Sequence, residues 1–252
     1  MALQLLSKST YTSAAPVTTR RYSHTAGVAA TAGRLARVLA PGHEEDIVTA
    51  AWLHDIGYSP DLVDTGFHPL DGARYAQQAG ISPNVVSLIA HHTGAVVEAR
   101  ERGLHEQLAA FPLPADVAEL AILSCADLCT GPDGVPIDPA ERLAEVLQRY
   151  PTTDPVHRAI TTSAPLLIAQ ARLVLAAAEA ADTRRRGWTF LAALTMCRRG
   201  GSGVRCGRMS TTVSAPAGCH RRSAARRRRL PTASGSVWRA HRRCGIASRP
   251  NR

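Results

Sequence analysis

Apolar positions recur at helical spacing through most of the first 182 residues. Val28, Ala29, Ala32, Leu35, Ala36 and Leu39 fall on one face of a helix that begins near Thr18 and stops at Pro41-Gly42. Ile47, Val48, Ala51 and Trp52 form the apolar face of a second helix over 44–54, ended by Gly57 and Pro60, with a loop over 59–67. Further helices are predicted over 69–79, 83–92, 94–109 and 115–129, the last opened by Pro112 and Pro114. Gly131-Pro132-Asp133-Gly134 reads as a turn. An amphipathic helix over 138–150 turns Leu143, Val146 and Leu147 inward. Thr153 is expected to cap the next helix, and Ser163 a separate last one, each with a proline (Pro155, Pro165) in its first turn. No segment alternates as a strand does, and no internal repeat occurs. The pattern predicts an all-α helical bundle.

Charge divides the chain. Residues 1–182 hold all 20 acidic residues against 12 basic ones, a net of −8. Residues 183–252 hold 18 arginines and no acid, a net of +18, so the whole-chain +10 describes neither part. The second stretch is rich in Arg, Ser and Gly and has no sustained apolar period, so it is expected to be a disordered basic tail. Residues 1–17 read as a loose leader, with 18–182 as the domain. The leader's apolar run, Ala2 to Leu6, is too short for a signal-peptide core. Cys197, Cys206, Cys219 and Cys244 are scattered in the tail with no close pair for zinc, and the cysteines do not read as a disulfide framework, which fits a reducing cytoplasm. Cys125 and Cys129 read as small buried thiols of a core helix. No uninterrupted apolar run approaches the ~20 residues a membrane span needs, so no membrane partner is expected.

Candidate metal ligands cluster at helix ends. His24 lies near the start of the first helix. His54-Asp55 closes the second, and Asp127 lies late in the long helix over 115–129. Two adjacent polar groups placed directly after Ala51-Trp52-Leu53 would be costly to bury without a partner. At a fraying helix end with Gly57 close behind, both side chains can turn toward one ion.

The order His24, His54-Asp55, Asp127, with the string Ala50-Ala-Trp-Leu-His-Asp-Ile-Gly57, resembles the HD superfamily of metal-dependent phosphohydrolases over about residues 18–180. The segments 64–73 and 126–134 also resemble a bacterial, often actinobacterial, subgroup. The resemblance implies an HD-domain helical bundle in which His24, His54, Asp55 and Asp127 bind one ion. His68 in His68-Pro-Leu-Asp-Gly and His92 in His91-His92-Thr-Gly94 resemble the extra ligand positions of two-metal members, with Asp55 bridging and His91 as the weaker alternative to His92. One or two divalent ions (Fe, Mn, Co, Ni, Zn or Mg) are thus expected, since mixed His/carboxylate sites accept several metals. Such an ion lowers the pKa of its water and neutralises phosphoryl charge.

Asp55 and Arg21 are the groups expected to act on the reacting phosphate. Arg21 lies one turn before His24, and arginine forks match phosphate oxygens. His43, His105 and His157 read as surface residues. The expected partner is a small phosphorylated substrate, nucleotides included. Two other classes remain open: a non-catalytic HD module that binds a nucleotide, and nucleic-acid binding through Arg221-Arg222, Arg226–Arg229 and Arg242-Arg243. The tail's composition equally fits GC-rich coding sequence read out of frame. The sequence is silent on oligomeric state and on which phosphate ester is cleaved.

Overall fold

Helix α1 (Pro16–Leu39) buries Val28, Ala32 and Ala36, the face its apolar spacing predicts. The computed structural model describes residues 16–199, with side chains over 20–185. Helix α2 (Glu44–Leu53) packs on α1 and carries Glu44, Glu45 and Asp46 in its first turn, where the helix dipole favours negative charge. A 3-10 turn (Ile56–Tyr58) leads through a loop into α3 (His68–Gln78) and α4 (Pro83–His91). A second 3-10 turn (His92–Gly94) follows, then α5 (Ala95–Glu101), α6 (His105–Ala109), α7 (Val117–Leu128), α8 (Pro139–Arg149) and α9 (Pro155–Arg199). Among the described residues there is no strand, only an isolated bridge between Thr130 and Pro136.

Side-chain caps set several helix starts. Asp116 accepts from the Ala118 amide at 2.8 Å, and Asp138 accepts from the Ala140 amide at 2.8 Å. Ser82 accepts from the Val85 amide, with Pro83 in the first turn.

Three expectations are corrected. The helix expected over 94–109 is two, α5 and α6, broken at Arg102-Gly103. Asp154, not Thr153, caps α9, accepting from the Val156 amide at 2.8 Å. The separate last helix does not exist, because α9 runs straight through Pro165. The Ser163 hydroxyl donates to the Ala159 carbonyl instead of capping. Ala159, Ser163, Leu167 and Ala171 form one buried stripe, and burying that stripe outweighs the backbone bond that Pro165 removes.

The core lies where α1, α2, α4 and α7 meet, with α9 laid across α7, α5 and α1. Cys125 and Cys129 are buried free thiols, as expected. Residues 183–199 of the expected tail continue α9. The leader over 1–15, the arginine clusters and every tail cysteine side chain lie outside the described residues. By length and composition α9 is apolar enough over Pro155–Arg185 to cross a membrane, a candidate the sequence pattern did not suggest. Its buried stripe is used in packing on the domain.

Candidate metal centre

Five elements bring the expected ligands together. His24 comes from the first half of α1, His54 and Asp55 from the end of α2, and His68 from the start of α3. His92 comes from the second 3-10 turn and Asp127 from the last turn of α7. The ligating atoms of His24, His54 and Asp127 lie within 4.8 Å of one another, and so do those of Asp55, His68 and His92. Asp55 stands between the triads. Its Oδ1 is 3.6 Å from His54 Nε2 and 3.5 Å from His68 Nε2, and its Oδ2 is 4.0 Å from His24 Nε2.

Three histidines are oriented the same way. The Nδ1–H of His54 donates to the Ala51 carbonyl at 2.8 Å, that of His92 to Ile89 at 2.7 Å, and that of His24 to Gly131 at 3.1 Å. A carbonyl only accepts, so each Nδ1 holds the proton and each Nε2 presents a lone pair to the centre. The buried Nε2 of His54 has no hydrogen-bond partner. His68 Nε2 lies 3.2 Å from His92 Nε2, within hydrogen-bond reach. Lone pairs and carboxylates converging in a buried space need a cation among them. These residues fit a divalent first-row ion.

The electrostatics agree. Burial alone would raise Asp55, but His54, His68 and Arg21 hold its carboxyl below the usual range. Asp127 is likewise pushed up by burial and drawn well below its ordinary value by His24 and His54. Burial lowers His68 and His92, keeping both neutral. His24 is the exception. Burial opposes its charge, yet Asp127 at 3.1 Å and Asp55 outweigh that and raise it.

Close backbone approaches fix the geometry. A Cβ on Gly57 would lie 2.1 Å from the His68 carbonyl oxygen, so only glycine lets α3 start against the end of α2. Gly134 (φ +78) sits over α1, where a Cβ would lie 2.3 Å from the Ser23 carbonyl oxygen. That approach holds the turn over 131–134 against α1, with the Gly131 carbonyl on His24. Asp71, buried in α3, accepts from the amides of Asp64, Thr65 and Gly66 and from the Thr65 hydroxyl, pinning the loop that delivers His68.

Arg21 is placed beside Asp55, with Nη1 3.2 Å from Oδ2. Its guanidinium lies 3.7 Å over the Tyr58 ring, and Tyr58 stacks on His68 at 4.1 Å between centroids. His91 does not join the centre. Its Nε2 donates to the Phe111 carbonyl at 2.9 Å. His43 is exposed, with Nδ1 2.8 Å from Oε1 of buried Glu119.

Sequence reasoning missed Thr93, Tyr58, Asp71, Arg142 and Arg149. Thr93 adopts φ +45, which a β-branched residue rarely does, and its hydroxyl donates to Asp127 Oδ2 at 2.6 Å. No sequence signal marks that conformation. Arg142 and Arg149 stand seven apart on an amphipathic helix, a spacing that puts them on one face without saying what the face meets.

Two cavities open onto the centre. One is lined by Arg20, Arg21, His24, Asp55, Arg142 and Arg149. The other reaches from His68, His92 and Asp127 to an apolar wall of Val146, Tyr150, Val156 and Ile160. No curated protein and no solved structure matches the chain. The family model of the HD domain matches residues 21–132, a span that contains His24, His54, Asp55, His68, His92 and Asp127. The match marks residues 21–132 as an HD domain, a domain whose superfamily is in general one of metal-dependent phosphohydrolases.

Proposed function

We propose that the protein is a metal-dependent phosphohydrolase that cleaves a small phosphate ester, nucleotides being the foremost class. The observation that carries this reading is the set of three histidines that spend Nδ1–H on backbone carbonyls and turn Nε2 toward Asp55 and Asp127. His24, His54 and Asp127 would hold one divalent ion and His68 and His92 a second, with Asp55 close to both sets. A bound divalent ion supplies water of lowered pKa, about 7 with zinc, and neutralises phosphoryl oxygen charge.

The chain's own groups do the rest. Arg21, held flat on Tyr58 and beside Asp55, turns its guanidinium toward a phosphate oxygen. Thr93 keeps one Asp127 oxygen from rotating away. The wall of Val146, Tyr150, Val156 and Ile160 receives the organic part of the ester and excludes water there.

The test is a panel of nucleotides and phosphomonoesters with Mn, Fe, Co or Ni added. Phosphate release from at least one ester is expected, lost on His54→Ala. Elemental analysis should give two metal ions per chain, falling to one in His68→Ala. A folded, metal-loaded protein that releases phosphate from nothing in the panel would end the catalytic reading. One ion in both proteins would end the two-metal version.

A further inference from the structure

Arg142 and Arg149 are seven residues apart on α8, about two turns, and both line the two cavities at the mouth of the metal centre. They share one acid. Glu145 Oε2 accepts from Arg142 Nη1 at 2.5 Å and from Arg149 Nη2 at 2.9 Å. Two positive charges therefore face one negative charge. The Arg142 side chain is only 13% exposed, so its charge is partly desolvated and acts strongly on what enters the cavity. It already acts on His24 and Asp127.

The other two arginines of the mouth are engaged differently. Arg20 pairs through Nε and Nη2 with both oxygens of Asp133. Arg21 lies between Asp55 and Tyr58. Helix α8 also lies beyond residues 21–132, so this wall belongs to the chain's own extension of the domain.

We propose that Arg142 and Arg149 form a subsite for a second phosphate, so that the preferred substrate carries a di- or triphosphate. This rests on the phosphohydrolase reading and narrows its substrate class. The cavity geometry makes the anion continuous. Arg21, Arg142 and Arg149 line the same two cavities, so a phosphate beside Arg21 and Asp55 has its neighbouring phosphate facing α8. Each guanidinium has five N–H donors in a fork that matches phosphate oxygens, and Glu145 occupies few of them. Glu145 keeps both forks in place without cancelling them.

The test measures binding, separately from turnover. The full chain with its bound metal is titrated calorimetrically with methylenediphosphonate and with methylphosphonate, neither of which can be hydrolysed. The diphosphonate should bind at least tenfold tighter. The double variant Arg142→Ala/Arg149→Ala should lose that advantage while methylphosphonate affinity stays within twofold. Glu145→Gln, which leaves both arginines in place, should raise diphosphonate affinity several-fold, and it serves where the double variant fails to fold. Equal affinities in the unmodified protein would overturn the proposal. So would an advantage that survives loss of both arginines, or no gain in Glu145→Gln. A chain that prefers the diphosphonate through these arginines yet hydrolyses no phosphate ester would uphold the subsite and defeat only the catalytic reading.

Discussion

Single side chains in this centre are set against their own preferences, and that has measurable consequences. Thr93 sits in the left-handed region, at a cost on the order of 1–3 kcal/mol, and keeps its hydroxyl on Asp127. Thr93→Ala removes the bond and keeps the strain, whereas Thr93→Gly removes both. Chelator-treated Thr93→Gly should therefore be more stable than Thr93→Ala by about 1 kcal/mol, the reverse of the usual order. Both variants should bind metal about 10–100-fold more weakly, as loss of an orienting bond does. Urea midpoints and metal titrations check the two halves, and an Ala variant more stable than the Gly variant would refute the strain argument.

Protonation gives a second residue-scale expectation. His68 and His92 are held neutral when folded, so below their ordinary pKa of 6.5 the unfolded chain takes up protons that the folded one refuses. His24 has the opposite sign, and its contribution is lost as pH rises. Two against one, the chelated protein should lose stability between pH 7.5 and 5.5. Asp55 and Asp127, both depressed, contribute above 3.8 and should give a further loss below it. A urea midpoint flat from pH 7.5 to 5.5 would contradict this.

At the scale of elements, much was legible because the signals are local. The apolar stripe of α1, the stop at Pro41-Gly42 and the cap at Asp138 each depend on near neighbours in sequence. His24, His54, Asp55 and Asp127 were legible as an ordered set, and the structure brings all four into one cluster. What was not legible depends on distant packing. Pro165 and Ser163 read as a helix start, yet burial of Leu167 and Ala171 carries α9 through them. Asp71 looked like one acid among several, but it clamps the loop over 64–66 from within α3. The junction of α2 and α3 is where element packing and the centre meet. A methyl at Gly57 would collide with backbone, which cannot swing aside as a flexible side chain can. Gly57→Ala should displace His68 and lower affinity for the second ion by more than tenfold, with the first ion retained. Asp71→Asn should do the same, because its amide nitrogen would face N–H or O–H donors that a carboxylate oxygen accepts from. Stepwise metal titration with elemental analysis reads both, and unchanged second-ion affinity in Gly57→Ala would show that α3 can move without cost.

For the whole molecule, the centre acts as a joint between helices that otherwise hold together through apolar contact. Its six side chains come from five elements, and each is buried or nearly so at the heart of the bundle. Without cations, the converging carboxylates and lone pairs are charges and dipoles desolvated by folding and only partly compensated by one another and by Arg21. Metal binding to the folded chain alone must therefore stabilise it. Free metal at a hundred times its dissociation constant contributes about 2.7 kcal/mol. In a domain of this size each kcal/mol moves the midpoint by roughly 2–4 °C. Chelation should accordingly lower Tm by about 5–10 °C, and restoring Mn should recover it. The same experiment on His54→Ala/His68→Ala, which cuts a ligand from each triad, separates two origins of the effect. If the ion acts through the centre, the variant's Tm is indifferent to chelator. If the variant still falls by the same amount, the stabilising ion is bound elsewhere, and the joint between α1, α2, α3 and α7 is made by packing alone.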